Sequence, residues 1–145
     1  MLKIAAFRVQ FPGSTIKWDA LCYIDLFAGP GKCVVTDTGD VYLGSPLLAL
    51  TTRYAFTSCF FVDIDPAVVV ALETRCQASS VRERVHCFVG DSNAIVGDIV
   101  KRIRSAPEVR QSLNLAFLDP EGLELHWRTV ARLAQLRTDL IVYYP

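Results

Sequence analysis

The chain has no C-x-x-C pair, only two histidines, a single methionine and no excess of either charge. Each shortage closes off a class of function. The five cysteines (Cys22, Cys33, Cys59, Cys76, Cys87) lack zinc-ligand spacing, so no metal site is expected. An odd cysteine count without a framework fits a reducing compartment. Lys plus Arg equals Asp plus Glu, so no overall field draws the protein to a phosphate backbone or an anionic membrane. No apolar run is long enough to span a bilayer as a helix. Arg8 and Gln10 break the apolar start too early for a signal peptide, and a cytoplasmic protein is expected. Internal repeats, low-complexity tracts and a Gly-x-Ser-x-Gly nucleophile elbow are missing as well.

What is present is apolar and ordered. Hydrophobic residues make up 52% of the 145 residues, which is one domain's length. A chain of this size buries roughly 68–70% of its unfolded surface. Short continuous apolar runs, the mark of parallel strands buried on both faces, occur at Tyr23–Asp25, Cys59–Asp63, Val85–Val89, Leu113–Leu118 and Leu140–Tyr144. Cys22, Cys59 and Cys87 fall in or beside these runs and read as small hydrophobes. Cys33 is the one candidate reactive thiol.

Helical segments are expected between the runs: Ser45 to about Tyr54, Ala67 to Gln77, Ala94 to Ser105 and Arg128 to Leu136. Ser45-Pro46 reads as an N-cap followed by proline at the first helical position. Asp65-Pro66 gives the next helix the same start, and Lys32 to Leu43 reads as a loop. Alternating strands and helices predict an α/β domain, a doubly wound, mostly parallel sheet with helices on both faces. Residues 1–21 are expected to be an extension or partial element, with an extended stretch over Ile4–Phe11 and a turn at Pro12-Gly13-Ser14. Residues 22–145 form the core, ending at the fifth core strand, so a truncated version of the fold is expected.

In open α/β sheets ligands bind outside the carboxyl ends of the strands. Four of the runs end in or just before an acid: Asp25, Asp63, Asp91 and Asp119. The first continues into Gly29-Pro30-Gly31, whose glycines let backbone turn sharply and approach a ligand. A dinucleotide fold asks for a third glycine, but Val34 stands there, and Asp63 lies beyond the usual distance for its ribose acid. The first helix also starts only at Ser45, too late in sequence to follow the glycine turn. A longer, acid-flanked loop suits the cationic sulfonium and amino groups of S-adenosylmethionine.

The segments YIDLFAGPG (Tyr23–Gly31), Gly44-Ser45-Pro46-Leu47, FVDID (Phe61–Asp65), Gly90-Asp91-Ser92-Asn93 and FLDPEG (Phe117–Gly122) occur in that order. With the closing Asp139–Pro145, they resemble the class I methyltransferase-like family of three-Cys-motif partner proteins, over roughly residues 22–145. The resemblance implies a Rossmann-like core that binds S-adenosylmethionine. Asp25, Phe27, Ala28, Gly29, Pro30 and Gly31 would surround the methionine end of the cofactor. Asp63, with Ile64 beside it, would take the ribose hydroxyls. Asp91 would take the adenine amino group, with Ser92 or Asn93 nearby.

Asp119-Pro120-Glu121-Gly122 sits where amino-methylating enzymes carry Asp-Pro-Pro-aromatic, so Asp119, Pro120 and Glu121 are the catalytic candidates. Glu121 reads equally as a general base and as a solvated loop residue. The stacking ring is missing at Gly122; Trp127 reads first as helix-packing core, His126 as a surface residue and His86 as structural. The expected function is methyl transfer to an unidentified acceptor. The alternative is a catalytically silent module that binds the cofactor or a nucleotide as the partner of another protein. Lys101, Arg102, Arg104 and Arg110, and again Arg128, Arg132 and Arg137, cluster in sequence and read first as solvated helix faces. Nucleic acid thus stays open as a partner without support from net charge.

Overall fold

The computed structural model describes residues 18–107 and 109–143, and the expectations for residues 1–17 lie outside that span. The first strand, β1 (Ala20–Asp25), is buried at every position and forms the middle of the sheet. It starts two residues before the expected core boundary at residue 22. There follow β2 (Lys32–Val34), β3 (Val41–Leu43), α1 (Ser45–Leu50), β4 (Ser58–Asp63) and α2 (Pro66–Cys76). Then come β5 (Val85–Val89), α3 (Ser92–Arg104), β6 (Ser112–Leu118), α4 (Trp127–Leu133) and β7 (Thr138–Val142).

Five strands form one parallel sheet in the order β5-β4-β1-β6-β7. Numbered within this sheet alone, that order is 3-2-1-4-5, a Rossmann-like α/β arrangement. Chain order reverses direction between β1 and β6, so the switch point lies between Asp25 and the residue after Leu118. In register, Ile24 stands opposite Phe60 on one side and Ala116 on the other.

The pleat of β1 divides its side chains between two cores. Cys22 and Ile24 pack with Phe60, Val62, Ala116 and Leu118 against Val96, Ile99, Val100 and Ile103 of α3 and Leu133 of α4. Tyr23 packs on the other face with Cys59 and Phe61, against Ala49 of α1 and Leu72 and Cys76 of α2. Helices therefore cover both faces, as the alternating pattern predicts. Phe61 is fully buried and meets Tyr23 edge-on at 6.2 Å between ring centroids. Replacing a buried phenylalanine by alanine costs about 3–5 kcal/mol, so this ring is a main anchor of that face.

Four local expectations need correction. Lys32–Leu43 is a hairpin rather than a loop: β2 and β3 pair antiparallel, with Cys33 opposite Tyr42 and a turn at Thr36–Thr38. Helix α1 ends at Leu50, four residues early, where the Thr51 N–H reaches the Leu48 carbonyl. Its cap is Gly44 rather than Ser45; no side chain caps it, and the Ser45 hydroxyl is used elsewhere. The cap at Asp65 is as expected, its carboxylate accepting the Ala67 N–H at 2.8 Å. Helix α3 begins at Ser92, two residues early, with Asp91 as its cap.

Candidate functional site

The carboxyl end of β1 carries a fully buried acid. Asp25 accepts the Ser45 hydroxyl at 2.6 Å, the Phe27 N–H at 3.3 Å and, more weakly, the Tyr23 hydroxyl at 3.5 Å. Burial pushes its carboxyl up to about 6. The Ser45, Phe27 and Tyr23 bonds pull it down, and the charge of Asp119 at the end of β6 pushes it up further. Burial and the neighbouring Asp25 charge drive the Tyr23 phenol upward, so it stays a donor. Asp25 thus stands at the start of α1 as the protein's own anion, fastening that helix to the sheet.

Beyond Asp25 the chain makes the glycine turn. Gly29 and Gly31 both take positive φ, at 61° and 78°. No atom lies within 4 Å of where a Gly29 side chain would begin, so its outer face is bare backbone. Gly31 is different: a Cβ there would come within 2.8 Å of Leu72 and 3.0 Å of Leu47. The turn is pinned from three sides. The Gly29 N–H donates to Asp63 at 2.9 Å, the Arg75 guanidinium donates to the Pro30 carbonyl, and the Gly44 N–H donates to the Gly31 carbonyl at 2.8 Å.

This last bond corrects an inference from spacing. The hairpin leaves at Gly31 and returns at Gly44, so the start of α1 lies beside the glycine turn in space despite its distance in sequence. Helix position alone therefore does not disfavour a phosphate ligand. What does is Asp25, which already places a carboxylate at that helix start.

Asp63 ends β4 and works on both sides, accepting Gly29 through one oxygen and the Asp65 N–H through the other at 3.0 Å. A carboxylate offers about four acceptor positions, so two bonds leave room for ligand hydroxyls. Ile64 beside it is 73% exposed, an apolar side chain standing free at the sheet's edge. Phe27 is half-buried against the α3 face and Ala28 is buried, its N–H bonded to Val62. These two shape the turn from beneath.

At the end of β5, Asp91 is exposed and holds the N–H and side-chain amide of Asn93 through one oxygen. The two residues after it are committed within the protein. The Ser92 hydroxyl donates to the Leu26 carbonyl, and the residue is buried. Asn93 is a clamp: its amide donates to the Glu124 carbonyl at 2.8 Å, and its oxygen accepts the His126 N–H at 2.9 Å and the Thr129 hydroxyl at 2.6 Å. Neither side chain has a free hand for an adenine ring, and the expected roles of Ser92 and Asn93 shift to positioning.

Asp119 and Glu121 are exposed after β6, with Pro120 buried between them. Gly122 donates its N–H to Glu124 at 2.8 Å, tightening the loop. Trp127 is not core: at 80% exposure it stands in solvent at the first position of α4, with Leu123 exposed earlier in the same loop. Because α4 begins where this loop ends, a free aromatic ring is available on the Asp119 side of the sheet. His126 precedes it, exposed, its ring 3.4 Å from the Arg128 guanidinium. His86 stacks on Phe60 at 5.2 Å, and burial followed by the nearby Arg102 lowers its proton affinity, which suits a structural role.

The structure thus gathers Asp25, the glycine turn, Asp63, Asp91 and Asp119 at one end of the sheet. Sequence reasoning missed Arg75 and the true part of Ser45. Their partners lie 45 and 20 residues away, and no local pattern announces either. Two concavities on the α3–α4 side include none of these edge residues in their linings. No group of His, Cys, Asp and Glu suited to a metal ion occurs among the described residues. None of their helices is long and apolar enough to cross a membrane.

No protein-family model matches the chain, and no curated protein matches it. Among solved structures, it is similar to the crystal structure of protein LPL1258 from Legionella pneumophila str. Philadelphia 1, described with the family-model name DUF519. The two share a TM-score of 0.52 at 15% identity, over 70% of this chain and 48% of that one. The chain therefore spans about half the length of that protein, and the likeness is one of α/β fold.

Proposed function

We propose that the chain is the S-adenosylmethionine-binding core of a class I methyltransferase, similar to the three-Cys-motif partner proteins. The observation that carries this reading is the glycine turn tied to Asp63 at the end of β4, with the buried Asp25 beneath it. The donor set fits the cofactor. The space beside the Gly29 Cα is open, Asp63 keeps acceptor positions for two hydroxyls, and Ile64 offers an apolar surface beside it. Asp91, exposed at the next strand end, can accept an amine. An edge rich in carboxylates favours a cationic ligand over a pyrophosphate, whose charge it would repel.

Bound there, S-adenosylmethionine would supply an electrophilic methyl group. The protein's part is placement and proton handling. Asp119, together with the Pro120 backbone carbonyl, would accept a hydrogen bond from the acceptor nucleophile. Glu121 would take the proton that the nucleophile gives up as its bond to the methyl carbon replaces the methyl–sulfur bond and S-adenosylhomocysteine leaves. Trp127 supplies a ring on which a flat acceptor could stack, in place of the aromatic missing at Gly122.

A second reading has its own support. Asp119 and Glu121 are both exposed in an open loop, which also fits a module that binds cofactor without turnover and serves another protein. Isothermal titration with S-adenosylmethionine, S-adenosylhomocysteine and NAD tests the shared part. Micromolar binding of the first two and none of the third is expected; tighter NAD binding would overturn the proposal. Methyl transfer from labelled cofactor then separates enzyme from silent module.

A further inference from the structure

The molecule carries equal numbers of acids and bases, yet it does not mix them evenly. The exposed acids Asp65, Asp91, Asp119, Glu121 and Glu124 lie in the loops at the carboxyl edge of the sheet. On the α3–α4 side two adjoining concavities, of about 270 and 460 Å³, share Arg104 and Gln135. Among the described residues, their charged lining is Lys101, Arg104, Arg110, Arg132 and Arg137, with no acidic side chain. The one ion pair among the described residues, Arg82–Glu83, lies elsewhere, so these cations have no carboxylate partner there.

Several of these cations are held in place. Gly97 opens the floor beneath Arg132: a Cβ there would come within 2.7 Å of the guanidinium. Arg137 lies over the Trp18 ring at 5.0 Å. Asp19, beside the Arg110 end, has one carboxylate oxygen occupied by the N–H groups of Arg110 and Gln111 at 3.1 Å each. Asp98 follows Gly97 on α3 and is exposed, but lines neither concavity.

From this we infer that the α3–α4 groove binds the phosphodiester backbone of a nucleic acid strand. Four of its five cations are arginines, whose planar fork matches phosphate oxygens two at a time. Ser112, Gln111 and Gln135 add neutral donors of the kind that contact phosphate and sugar. Among the described residues the groove's one aromatic, Trp18, is buried and offers no ring for stacking bases. Recognition there is of backbone, independent of sequence. Zero net charge is no obstacle, because a local field of one sign is what a strand in the groove meets. The inference does not depend on what the carboxyl edge binds.

The test is fluorescence anisotropy of the full chain with a labelled mixed-sequence 20-mer RNA strand, and with DNA of the same sequence. At low salt, binding at micromolar concentration is expected, equal for RNA and DNA within about threefold. Affinity should fall with salt at a slope near −3, from about 0.7 per neutralised phosphate. Arg104→Glu with Arg132→Glu should weaken binding at least about tenfold and flatten the slope by about 1.4, two contacts at about 0.7 each. Arg104→Gln with Arg132→Gln, gentler on folding, should weaken it by a smaller factor with the same flattening. Arg53→Glu, away from the groove, should change it less than about twofold. The inference is overturned if the wild-type protein leaves both strands unbound at low salt. It is overturned equally if the groove variants bind as the wild type does, or if polyglutamate displaces RNA as well as unlabelled RNA does.

Discussion

Asp25 shows what one side chain at the switch point costs and provides. Its carboxyl, near 6 in the folded protein against an ordinary value near 4, binds its proton more tightly folded than unfolded. Such a group contributes stability below about pH 4 that is lost as pH rises through 6. The difference of about two units corresponds to about 3 kcal/mol. Asp25→Asn keeps a hydrogen-bond acceptor for Ser45 but cannot ionise. Its stability relative to wild type should therefore improve by roughly 2–3 kcal/mol between pH 4 and pH 7.5, read by urea unfolding; parallel curves would remove Asp25 as the source. Asp63 has a different part, joining turn to ligand. Asp63→Ala removes a charged hydrogen-bond acceptor worth about 1.5–3 kcal/mol, so S-adenosylmethionine affinity should drop about 10- to 100-fold by calorimetry. The cysteines divide as cleanly. Burial pushes the thiols of Cys22 and Cys76 up to about 11, and those of Cys59 and Cys87 to about 12, whereas Cys33 is exposed on the hairpin. A disulfide reagent should therefore modify one thiol quickly in the native protein, and Cys33→Ser should abolish that phase.

Among the elements, the β2–β3 hairpin is the one least bound to its surroundings. All of Lys32–Leu43 is exposed, and Val34, Val41 and Tyr42 face solvent although apolar. Because Gly44 returns to bond Gly31, the excursion is closed at its base, and loop-closure entropy changes little when such a loop is shortened. Replacing residues 32–43 by two glycines should leave the melting temperature within a few degrees and preserve cofactor affinity. A large loss of either would mean that the hairpin braces the turn. Sequence could not show this element, because three-residue strands without a buried face leave no apolar run to read. The same physics explains what was legible. Each sheet strand buried on both faces appears as an apolar run, and acids after such runs mark its carboxyl edge. Ser45-Pro46 mimicked a cap because capping motifs are local, while the partner that claims the Ser45 hydroxyl is a strand away in the fold. The sequence puts Asn93 at a strand end but does not show its clamp, because the partners Glu124, His126 and Thr129 lie 31 to 36 residues further on. Trp127 reads as core because an aromatic at a helix start usually packs inward, whereas here it stands exposed.

For the molecule as a whole, the sheet order leaves β7 at one edge among the described residues, paired on one side with β6. Leu140, Ile141, Val142 and Tyr143 run there consecutively and are all exposed, so apolar side chains face outward on both sides of the pleat. A strand of that kind presents unpaired backbone groups beside hydrophobic surface, the combination that templates pairing with another chain. Soluble sheets commonly guard such edges with a charge, and this strand's nearest acid, Asp139, sits at its start. Ile141 is half-exposed, so placing a lysine there removes little buried area, and its long side chain can reach water. Ile141→Lys should accordingly leave the melting temperature nearly unchanged while lowering concentration-dependent light scattering. If scattering stays the same while stability holds, association runs through another surface, and the exposed apolar residues of the β2–β3 hairpin become the next to change. The parallel sheet, in this view, concentrates function at its carboxyl edge and exposure at its lateral edge for one reason. Among the described residues, strands buried on both faces in the middle of the sheet leave their ends and the outer sides of the two edge strands, β5 and β7, open to solvent.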